Sequence, residues 1–414
     1  MSELQTQKTN EPGGLLKWVD DRYPLIDTWN KHVAEYYAPK NFNFWYFFGS
    51  FALFTLVIMI VSGIWLTMSY KPDAAYAFNS VEYIMRDVEF GWLIRYIHTT
   101  GASAFFIVIY LHMTRALLYG SFKQPRELVW LIGMTIFVVL MAEAFFGYML
   151  PWGQMSYWGA QVIIGLFSTI PFIGPDLATW IRGDYIISDA TLNRFFALHV
   201  IALPLVLVIL VFMHIVALHK VGSNNPDGVD IKKHKDENGI PLDGIAFHPY
   251  YTVKDSFGAT LFLIAFALIV FYAPEGGGHF IEAPNFIPAD PLVTPENIVP
   301  VWYFTPFYAI LRAIPEPFLG VLAMGLSIAV LFAMPWLDRC KVRSIRYRGN
   351  SYKILLTMLF ISFIVLGVLG GLPSTPLYTK LAQVFTILYF AFFILLPFTS
   401  AHEKTKPVPE RVTS

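Results

Sequence analysis

The chain alternates long apolar runs with shorter polar segments. Eight of the runs are roughly 17 to 26 residues long with few or no charges, the length and composition of helices that cross a bilayer. These runs are 43–69, 93–118, 129–150, 195–218, 257–273, 318–337, 354–373 and 381–399. The pattern predicts an all-α, polytopic membrane protein with eight transmembrane helices.

A ninth apolar run, residues 155–180, has a different character. It is interrupted by Pro171, Gly174 and Pro175. Helix breakers of this kind are tolerated at membrane depth where the backbone folds back against protein. The run therefore predicts a re-entrant amphipathic hairpin after the third transmembrane helix, or a helical hairpin that lies at the membrane interface.

The same pattern divides the chain into five parts. Residues 1–42 form an N-terminal interfacial segment, in which 1–13 are predicted to be disordered and 15–37 to lie on the bilayer surface as one or two helices. The other parts are a four-helix bundle at 43–219, a cytoplasmic loop at 220–256, a C-terminal four-helix domain at 257–400 with an outer loop at 274–317, and a tail at 401–414.

Composition supports a membrane protein and excludes several other classes. Hydrophobic residues make up 56% of the chain and charged residues 14%, which is too apolar for a soluble globule. A formal net charge of zero argues against nucleic acid as a partner. The single cysteine, Cys340, excludes a disulfide framework, a cysteine-ligated iron–sulfur cluster and covalent haem attachment.

Lysine and arginine are distributed unevenly between alternate loops. Of the 29 in the chain, 22 lie in the N-terminus, in loops 115–127, 220–254 and 339–353, and in the C-terminus. The positive-inside rule places that side, and with it both termini, in the cytoplasm. The basic loop 340–350 can also attract anionic lipid headgroups, although the positive-inside signal explains it as well.

Two of the runs each carry a pair of histidines. His98 and His112 lie in the second run, and His199 and His214 in the fourth. Both runs cross in the same direction, so His98 pairs with His199 near the outer face and His112 with His214 near the inner face. An imidazole in hydrocarbon is costly and usually has a partner or a function. The two pairs predict axial ligands for two stacked haems.

Glycines repeat this spacing in the first and third runs. Gly49 and Gly63 lie fourteen residues apart, and so do Gly133 and Gly147. Glycine lets a flat macrocycle approach the backbone, whereas a single pair would be explained by tight helix packing. Matched pairs at two depths favour a dihaem four-helix bundle built from the first four runs. Bis-histidine ligation leaves no open position on iron, so such haems carry electrons.

Longer motifs resemble the cytochrome b family, the membrane core of quinol–cytochrome c oxidoreductase. The resemblance covers nearly all of residues 15–400, and the single chain is similar to the bacterial respiratory form. Its motifs are RYIHTTGAS at 95–103, GYMLPWGQMSYWGA at 147–160, TLNRFFALH at 191–199, VGSNNPDG at 221–228, FHPYYTVKD at 247–255 and PVWYF at 300–304.

The resemblance implies two non-covalently bound haem b groups. The outer histidine pair would ligate the low-potential haem and the inner pair the high-potential haem. Arg95 and Arg115, each three residues from a histidine, resemble the family's propionate-facing arginines. Interfacial arginines that snorkel to the membrane surface would be placed in the same way.

The resemblance also implies two quinone sites. The family oxidises ubiquinol or another quinol at the outer site, sends one electron to an iron–sulfur protein and one through both haems, reduces quinone at the inner site, and releases protons outside. The outer site would be lined by Tyr148, Pro151, Gly159, Ile163, Pro300, Trp302, Tyr303 and Tyr308. The inner site would use His219, Ser223, Lys254 and Asp255, although solvated loop ends would also explain His219 and Asp255. The implied partners are a Rieske-type iron–sulfur protein, a cytochrome c1-type subunit, membrane lipids and a second copy in a homodimeric complex, in a bacterial inner membrane.

One position departs from the family's outer-site motif. That motif is most often PEWY, whose glutamate is thought to accept a proton from quinol, whereas Val301 stands there in this chain. Glu143 is the sole charged side chain inside the third run, and an ionisable residue at that depth is a functional candidate. We expect Glu143 to replace the missing carboxylate. Glu282 and Glu296 in the outer loop are alternatives, and a protonated Glu143 that is hydrogen-bonded within the bundle is the purely structural interpretation.

The second departure is the spacing of His199 and His214. They lie fifteen residues apart, whereas the family's mitochondrial pattern has fourteen at this pair, the spacing that His98 and His112 also have here. In a regular helix fifteen residues turn the second side chain to about 60°, and fourteen to about −40°. Pro204 lies between the two and removes a backbone hydrogen bond. We therefore predict irregular helix geometry between residues 199 and 214.

Two other functions fit part of the pattern. A transporter or channel with midplane histidines and broken helices would share it, as would a dihaem anchor that passes electrons without oxidising quinol at a second site. Haem content separates the transporter from the other two. A second quinone site and the PVWY segment separate the oxidoreductase from the anchor.

Overall fold

The structure, a computed structural model, describes residues 14–30 and 36–413. The disorder predicted for residues 1–13 lies outside these ranges, as do residues 31–35 of the predicted interfacial segment. Within the described ranges the chain is helical apart from one two-stranded sheet and the connecting loops.

The α-helices fall into three groups. Two short helices come first, α1 (Leu15–Asp20) and α2 (Leu25–Trp29). The N-terminal half contains α3 (Phe47–Thr67), α4 (Ala77–Arg86), α5 (Gly91–Tyr119), α6 (Glu127–Met149), α7 (Gln154–Phe167), α8 (Gly174–Arg182), α9 (Asp189–Ala197) and α10 (Leu203–Val221). The C-terminal half contains α11 (Thr252–Tyr272), α12 (Thr305–Ala313), α13 (Pro317–Phe332), α14 (Met334–Leu337), α15 (Asn350–Gly371) and α16 (Pro376–Ala401).

Seven helical segments of the described chain are long and apolar enough to cross a membrane. They correspond to seven of the eight predicted runs. The exception is 318–337, where α13 has 16 residues and is separated from α14 at Ala333. Pro335 has no amide hydrogen to bond back into α13, which accounts for the break. Sixteen helical residues reach about 24 Å, short of the roughly 30 Å hydrocarbon core, so the eighth crossing stays a prediction.

The four-helix bundle is made of two helix pairs. Helix α3 packs along α5, and α6 packs along α10. Helix α5 ends where Gly120 adopts a left-handed conformation, φ 65°, as is common after a helix C-terminus. The first three bundle helices agree with the predicted runs to within four residues, whereas the fourth helical segment, 189–221, begins six residues before its predicted run.

Helices α7 and α8 form the helical hairpin predicted after the third span. They pack on each other, and Pro171 and Gly174 lie in or beside the turn between them. Gly153, which precedes α7, lies so close to the outer loop that an added Cβ would be 2.5 Å from Asn285 Oδ1. The hairpin is thereby held against the outer loop, while its depth in a bilayer stays a prediction.

The outer loop is fixed to the C-terminal helices through α12. This helix packs on α13, α15 and α16, and Arg312 donates hydrogen bonds to the carbonyls of Leu369 (2.7 Å) and Leu372 (3.0 Å). The stretch before α12 reaches the bundle, where the Tyr110 hydroxyl donates to the Tyr303 carbonyl at 2.6 Å. Helix α12 therefore presents residues 300–304 to the N-terminal half.

The face that carries the basic loops, called the inner face below, is closed by contacts between segments that are distant in the sequence. Strand β1 (Tyr37–Pro39) pairs antiparallel with β2 (Gly244–Ala246), Tyr37 opposite Ala246. Arg348, which is fully buried, forms ion pairs with Asp338 (2.8 Å) and Glu403 (2.7 Å). Arg348 of the basic loop 340–350 thus stabilises the packing of the protein itself. Because it is buried between two carboxylates, it does not contact lipid headgroups.

Candidate functional site

The structure brings the four histidines together in the two pairs that topology predicts. The ring centroids of His98 and His199 lie 6.2 Å apart, and those of His112 and His214 lie 6.4 Å apart. Two imidazoles on opposite sides of one iron, each at a metal–nitrogen distance of about 2 Å, would have centroids roughly 6 Å apart. Both pairs therefore have the separation that a bis-histidine iron requires.

The four paired glycines lie against the histidine rings. An added Cβ would be 3.3 Å from His112 Cε1 at Gly49, 3.2 Å from His98 Cε1 at Gly63, and 3.2 Å from His214 Cε1 at Gly133. At Gly147 it would be closer still to His199. The sequence predicts that these glycines admit a flat macrocycle. In the structure the room they leave is taken by the edge of an imidazole, because each histidine projects toward the neighbouring helix.

A π-helical turn accounts for the fifteen-residue spacing on α10. Residues Leu198–Ala202 form this turn, and the regular helix resumes at Leu203, just before Pro204. A π-turn bonds residue i to i+5 and so accommodates one extra residue. The extra residue brings His214 back to the face that carries His199. The predicted irregularity is confirmed, and the irregular turn contains His199 itself.

Hydrogen bonds fix the orientation of the outer histidines. His199 Nδ1 lies 2.9 Å from the Glu143 carbonyl oxygen and 3.0 Å from Glu143 Oε1. His98 Nδ1 lies 2.9 Å from Ser62 Oγ, and that hydroxyl donates its own hydrogen to the Ile58 carbonyl. In both rings the Nδ1 hydrogen is therefore engaged with an acceptor. Nε2 is left as the nitrogen with a free lone pair, the arrangement that metal-binding histidines favour.

An inner cavity of about 620 Å³ surrounds His112 and His214. It also contains all four residues predicted for the inner quinone site, His219, Ser223, Lys254 and Asp255. A volume of this size is typical of sites that bind small molecules or cofactors. His219 and Asp255, for which solvated loop ends were the alternative interpretation, thus lie with the other two on one apolar cavity with a polar rim.

The rim of the inner cavity is held by a small hydrogen-bond network. The Tyr36 ring stacks on His219 at 4.5 Å, and its hydroxyl lies 2.9 Å from Ser223 Oγ. The Ser50 hydroxyl donates to Asp255 Oδ2 at 2.8 Å. The imidazole and the carboxylate are each held in place by a neighbouring side chain.

Two arginines that line the inner cavity each carry a buried nitrogen atom for which the described residues supply no acceptor. These atoms are Arg115 Nε and Arg126 Nη1. An orphaned cationic donor in a buried cavity indicates an anionic group, such as a haem propionate. Sequence reasoning identified Arg115 and missed Arg126. The sequence does offer a clue to Arg126, which stands immediately before α6. The N-terminus of a helix carries partial positive charge, so a cation placed there is disfavoured unless an anion lies beside it.

An outer cavity of about 320 Å³ surrounds His98 and His199. Of the residues predicted for haem or quinol there, the lining includes Arg95, Glu143, Tyr148, Pro151 and Tyr303. Val301 also lines it, in place of the family's glutamate. A quinol in this cavity would therefore meet an apolar side chain at the motif position.

The remaining predicted outer-site residues lie around this lining. Trp302 Nε1 donates to Ser103 Oγ at 3.1 Å, and the Tyr308 hydroxyl donates to the Ile298 carbonyl at 3.3 Å. An added Cβ at Gly159 would be 3.8 Å from the Tyr148 ring. Ile163 and Pro300 are half-buried and do not line the outer cavity.

The three candidate proton acceptors have different surroundings. Glu143 contacts His199 as described above. Glu282 accepts a 2.7 Å hydrogen bond from the Tyr148 hydroxyl, and Asn285 Nδ2 donates to the same hydroxyl at 2.9 Å. Burial raises the pKa of Glu282 above its usual range. Glu296 is exposed and lines neither cavity, so it is the least suited of the three.

Two family models match the chain. One, described as cytochrome b/b6/petB, matches residues 33–222, and the other, described as cytochrome b (C-terminal)/b6/petD, matches residues 288–390. The first match spans all four histidines and all four glycines. The second spans the PVWY segment and the helices that hold it.

Similar proteins cover nearly the whole chain. Cytochrome b of Allochromatium vinosum is 61% identical over 407 residues, 96% of this chain and 98% of that protein. Cytochrome b/c1 of Bradyrhizobium diazoefficiens is 44% identical over 96% of this chain and 56% of its own length. A solved chain of a hyperthermophilic respiratory Complex III has a TM-score of 0.87 and 38% identity, over 94% of this chain and 99% of that chain.

Proposed function

This chain belongs to the cytochrome b family, and we propose that it is the haem-bearing membrane subunit of a bacterial quinol–cytochrome c oxidoreductase with two quinone sites. Family membership makes it a haem-containing electron-transfer subunit of a respiratory membrane complex. The finer assignment rests on one observation: two histidine pairs, 6.2 and 6.4 Å apart, each with a glycine behind every ring.

His98 and His199 would hold the outer haem, and His112 and His214 the inner one. Arg95 would face the outer propionates, and Arg115 with Arg126 the inner propionates, since each lines the cavity concerned. When bound, the two haems would supply one-electron carriers that connect the outer cavity to the inner one. The protein holds the outer imidazoles by their Nδ1 hydrogens and excludes water with apolar side chains.

The outer cavity would bind quinol between Tyr148 and the 300–304 segment. One electron would leave to a Rieske-type iron–sulfur partner and one would enter the chain, with two protons released outside. Among the candidate acceptors, we favour Glu282 over Glu143 for one of these protons. The Tyr148 hydroxyl lies in the cavity lining and already donates to Glu282, so a proton can pass from the cavity to the loop by one relay. Val301 cannot take a proton at the motif position.

The inner cavity would reduce quinone. His219 and Asp255 lie in its lining, where they can hydrogen-bond the two quinone carbonyls and pass protons from the inner face. Lys254 and Ser223 add donors at the same rim. Proton uptake on the inner side and release on the outer side would make quinol oxidation electrogenic.

The proposed assembly is a homodimer with a Rieske-type protein and a cytochrome c1-type subunit, in a bacterial inner membrane with both termini in the cytoplasm. The b/c1 relative, in which the matched part is only 56% of the protein, supports a c1-type partner. The transporter alternative loses its support, since family membership accounts for the histidines and broken helices. The dihaem anchor is disfavoured because the residues predicted for a second quinone site, His219, Ser223, Lys254 and Asp255, all line the inner cavity.

The test uses membranes that contain the chain in its complex. We expect a reduced-minus-oxidised spectrum with two b-type components, one lost in His98→Ala and the other in His112→Ala. Quinol–cytochrome c activity should be sensitive both to inhibitors of the outer site and to inhibitors of the inner site. A spectrum without b-type bands would exclude haem binding, and activity insensitive to inner-site inhibitors would favour the anchor.

A further inference from the structure

The Glu143 carboxylate contacts a haem-ligand histidine directly. Its Oε1 lies 3.0 Å from His199 Nδ1, and both side chains are only 15% exposed. Among the described residues it is the sole carboxylate within ion-pair distance of the four paired histidines. The contact is therefore specific to one ring of the outer pair.

Glu143 holds that ring at two points. The same Nδ1 lies 2.9 Å from the Glu143 backbone carbonyl, so the hydrogen is shared between a main-chain and a side-chain acceptor of one residue. Gly147, one turn further along α6, leaves the room into which the ring edge fits. The carbonyl bond and the glycine would orient the imidazole without the carboxylate. What the Glu143 side chain adds is therefore a negative charge beside the His199 ring.

The inner pair has the opposite charge beside it. Arg115 Nη2 lies 3.1 Å from His112 Nδ1 and 3.3 Å from its Nε2. A carboxylate on the outer ligand and a guanidinium near the inner one form an asymmetric arrangement. In a low-dielectric bundle such charges act strongly on a nearby redox centre.

We propose that Glu143 is a positioning residue that lowers the midpoint potential of the outer haem through His199. Accepting a hydrogen bond from Nδ1–H makes an imidazole more basic and a stronger electron donor to its metal. Oxidised iron carries one more positive charge than reduced iron, so the carboxylate stabilises the oxidised form. The charges thereby make electron transfer from the outer to the inner haem favourable. This inference rests on the proposed function, since it requires His199 to be a haem ligand.

The proposal differs from the expectation that Glu143 accepts the quinol proton. Its Oε1 is engaged by His199, whereas Glu282 is engaged by the Tyr148 hydroxyl that lines the quinol cavity. A proton acceptor would change the pH profile of quinol oxidation and leave the haem potential in place. A ligand-polarising carboxylate would change the potential.

The test is potentiometric titration of both haems in the purified complex, comparing the wild type with Glu143→Gln. Glutamine keeps the side-chain oxygen and the backbone carbonyl bond and removes only the charge. We expect the equilibrium constant for reduction of the outer haem to rise about tenfold or more, which is about 59 mV for a one-electron couple. The inner haem is the internal control and should keep its potential. Glu143→Asp, which keeps the charge, should shift the outer haem less.

A second measurement needs no variant to fold. The near-infrared charge-transfer band of an oxidised haem moves to shorter wavelength as its histidine ligand gains imidazolate character. In the oxidised wild type, the band of the outer haem should therefore lie at shorter wavelength than that of the inner haem. The inference would be overturned if the two bands coincided. It would also be overturned if Glu143→Gln kept both haems and left the midpoint potential of the outer haem unchanged. Either result would leave the proposed function intact. Loss of both b-type bands already in the wild type would instead overturn the proposed function, and the inference with it.

Discussion

The Tyr148 hydroxyl donates a 2.7 Å hydrogen bond to Glu282 Oε2 and thereby joins α6 to the outer loop. Asn285 Nδ2 donates to the same hydroxyl, and Asn285 Oδ1 accepts from the Ser156 amide at 2.8 Å. The hydroxyl hydrogen of Tyr148 therefore points at the carboxylate. This network supplies a carboxyl group near the outer cavity although the motif position is Val301.

Replacing Glu282 by Gln should lower quinol oxidation roughly 100-fold or more, the usual contribution of a positioned acid–base group. The wild-type rate should fall as pH decreases, because Glu282 accepts a proton only when ionised. Burial raises its pKa, so this fall should begin at a higher pH than for an ordinary glutamate. Steady-state rates across pH would check both effects. Glu275→Gln, an exposed carboxylate of the same loop, is the matched control and should retain the wild-type profile.

Gly147→Ala should disrupt the outer haem site selectively. The added Cβ would overlap the edge of the His199 ring, far closer than the 3.2–3.3 Å found at Gly49, Gly63 and Gly133. Overpacking of this kind displaces the side chain or the helix. The b-type spectrum should lose its outer component and keep the inner one. In Gly165→Ala, where nothing lies within 4 Å of the added carbon, both components should remain. Equal intensities in Gly147→Ala would contradict the packing seen here.

Docking of the C-terminal tail should depend on pH through Asp243. Hydrogen bonds from the Arg411 guanidinium, together with those from Lys40 and the Val412 amide, lower the pKa of this carboxyl to about 2. A folded-state pKa below the unfolded value stabilises docking above the ordinary aspartate range. The effect is lost as pH falls from about 4 toward 2. A nitroxide at Glu410→Cys, in a Cys340→Ser background, should become mobile over that window.

Arg411→Ala should release the tail already at neutral pH, because the bidentate bond to Asp243 (2.6 and 3.0 Å) is removed. Lys404→Ala removes the same charge from an exposed side chain of the tail and should leave the nitroxide immobile. Equal mobility in the two variants would contradict a role for the Arg411–Asp243 bond.

Arg348→Ala should destabilise the inner face by about 3–5 kcal/mol, the cost of removing one partner from a buried ion pair. The substitution leaves Asp338 and Glu403 buried without their arginine, although Lys123 still reaches Asp338 at 2.8 Å. A lower midpoint of thermal unfolding in detergent would register the loss. Arg339→Ala, in an exposed side chain nearby, should have little effect.

Much of the site follows from the sequence because membrane helices obey simple rules. Apolar length placed the bundle helices. The alternation of consecutive spans gives the second and fourth the same direction, and this direction alone paired His98 with His199 and His112 with His214. The fifteen-residue spacing also required an irregular turn. Sequence could not place that turn at Leu198–Ala202, because Pro204 suggested a position further along the helix.

Contacts between distant segments were not predictable in the same way. Arg126 was missed, since its burial in the inner cavity depends on how loop 120–126 packs against residues 222–223. Arg348 was predicted to lie in a basic cytoplasmic loop able to attract lipid headgroups, whereas its carboxylate partners come from residues ten before it and fifty-five after it in the chain.

The sequence by itself determined the long helices and the pairing of the histidines at two levels, because hydrophobic length and the alternation of spans can be read locally along the chain. Only the tertiary structure decided which side chains meet between those helices. Glu143 and Glu282 are both plausible acceptors in the sequence, yet one lies against His199 and the other against Tyr148. That difference comes from helix rotation and loop packing, which no local pattern encodes.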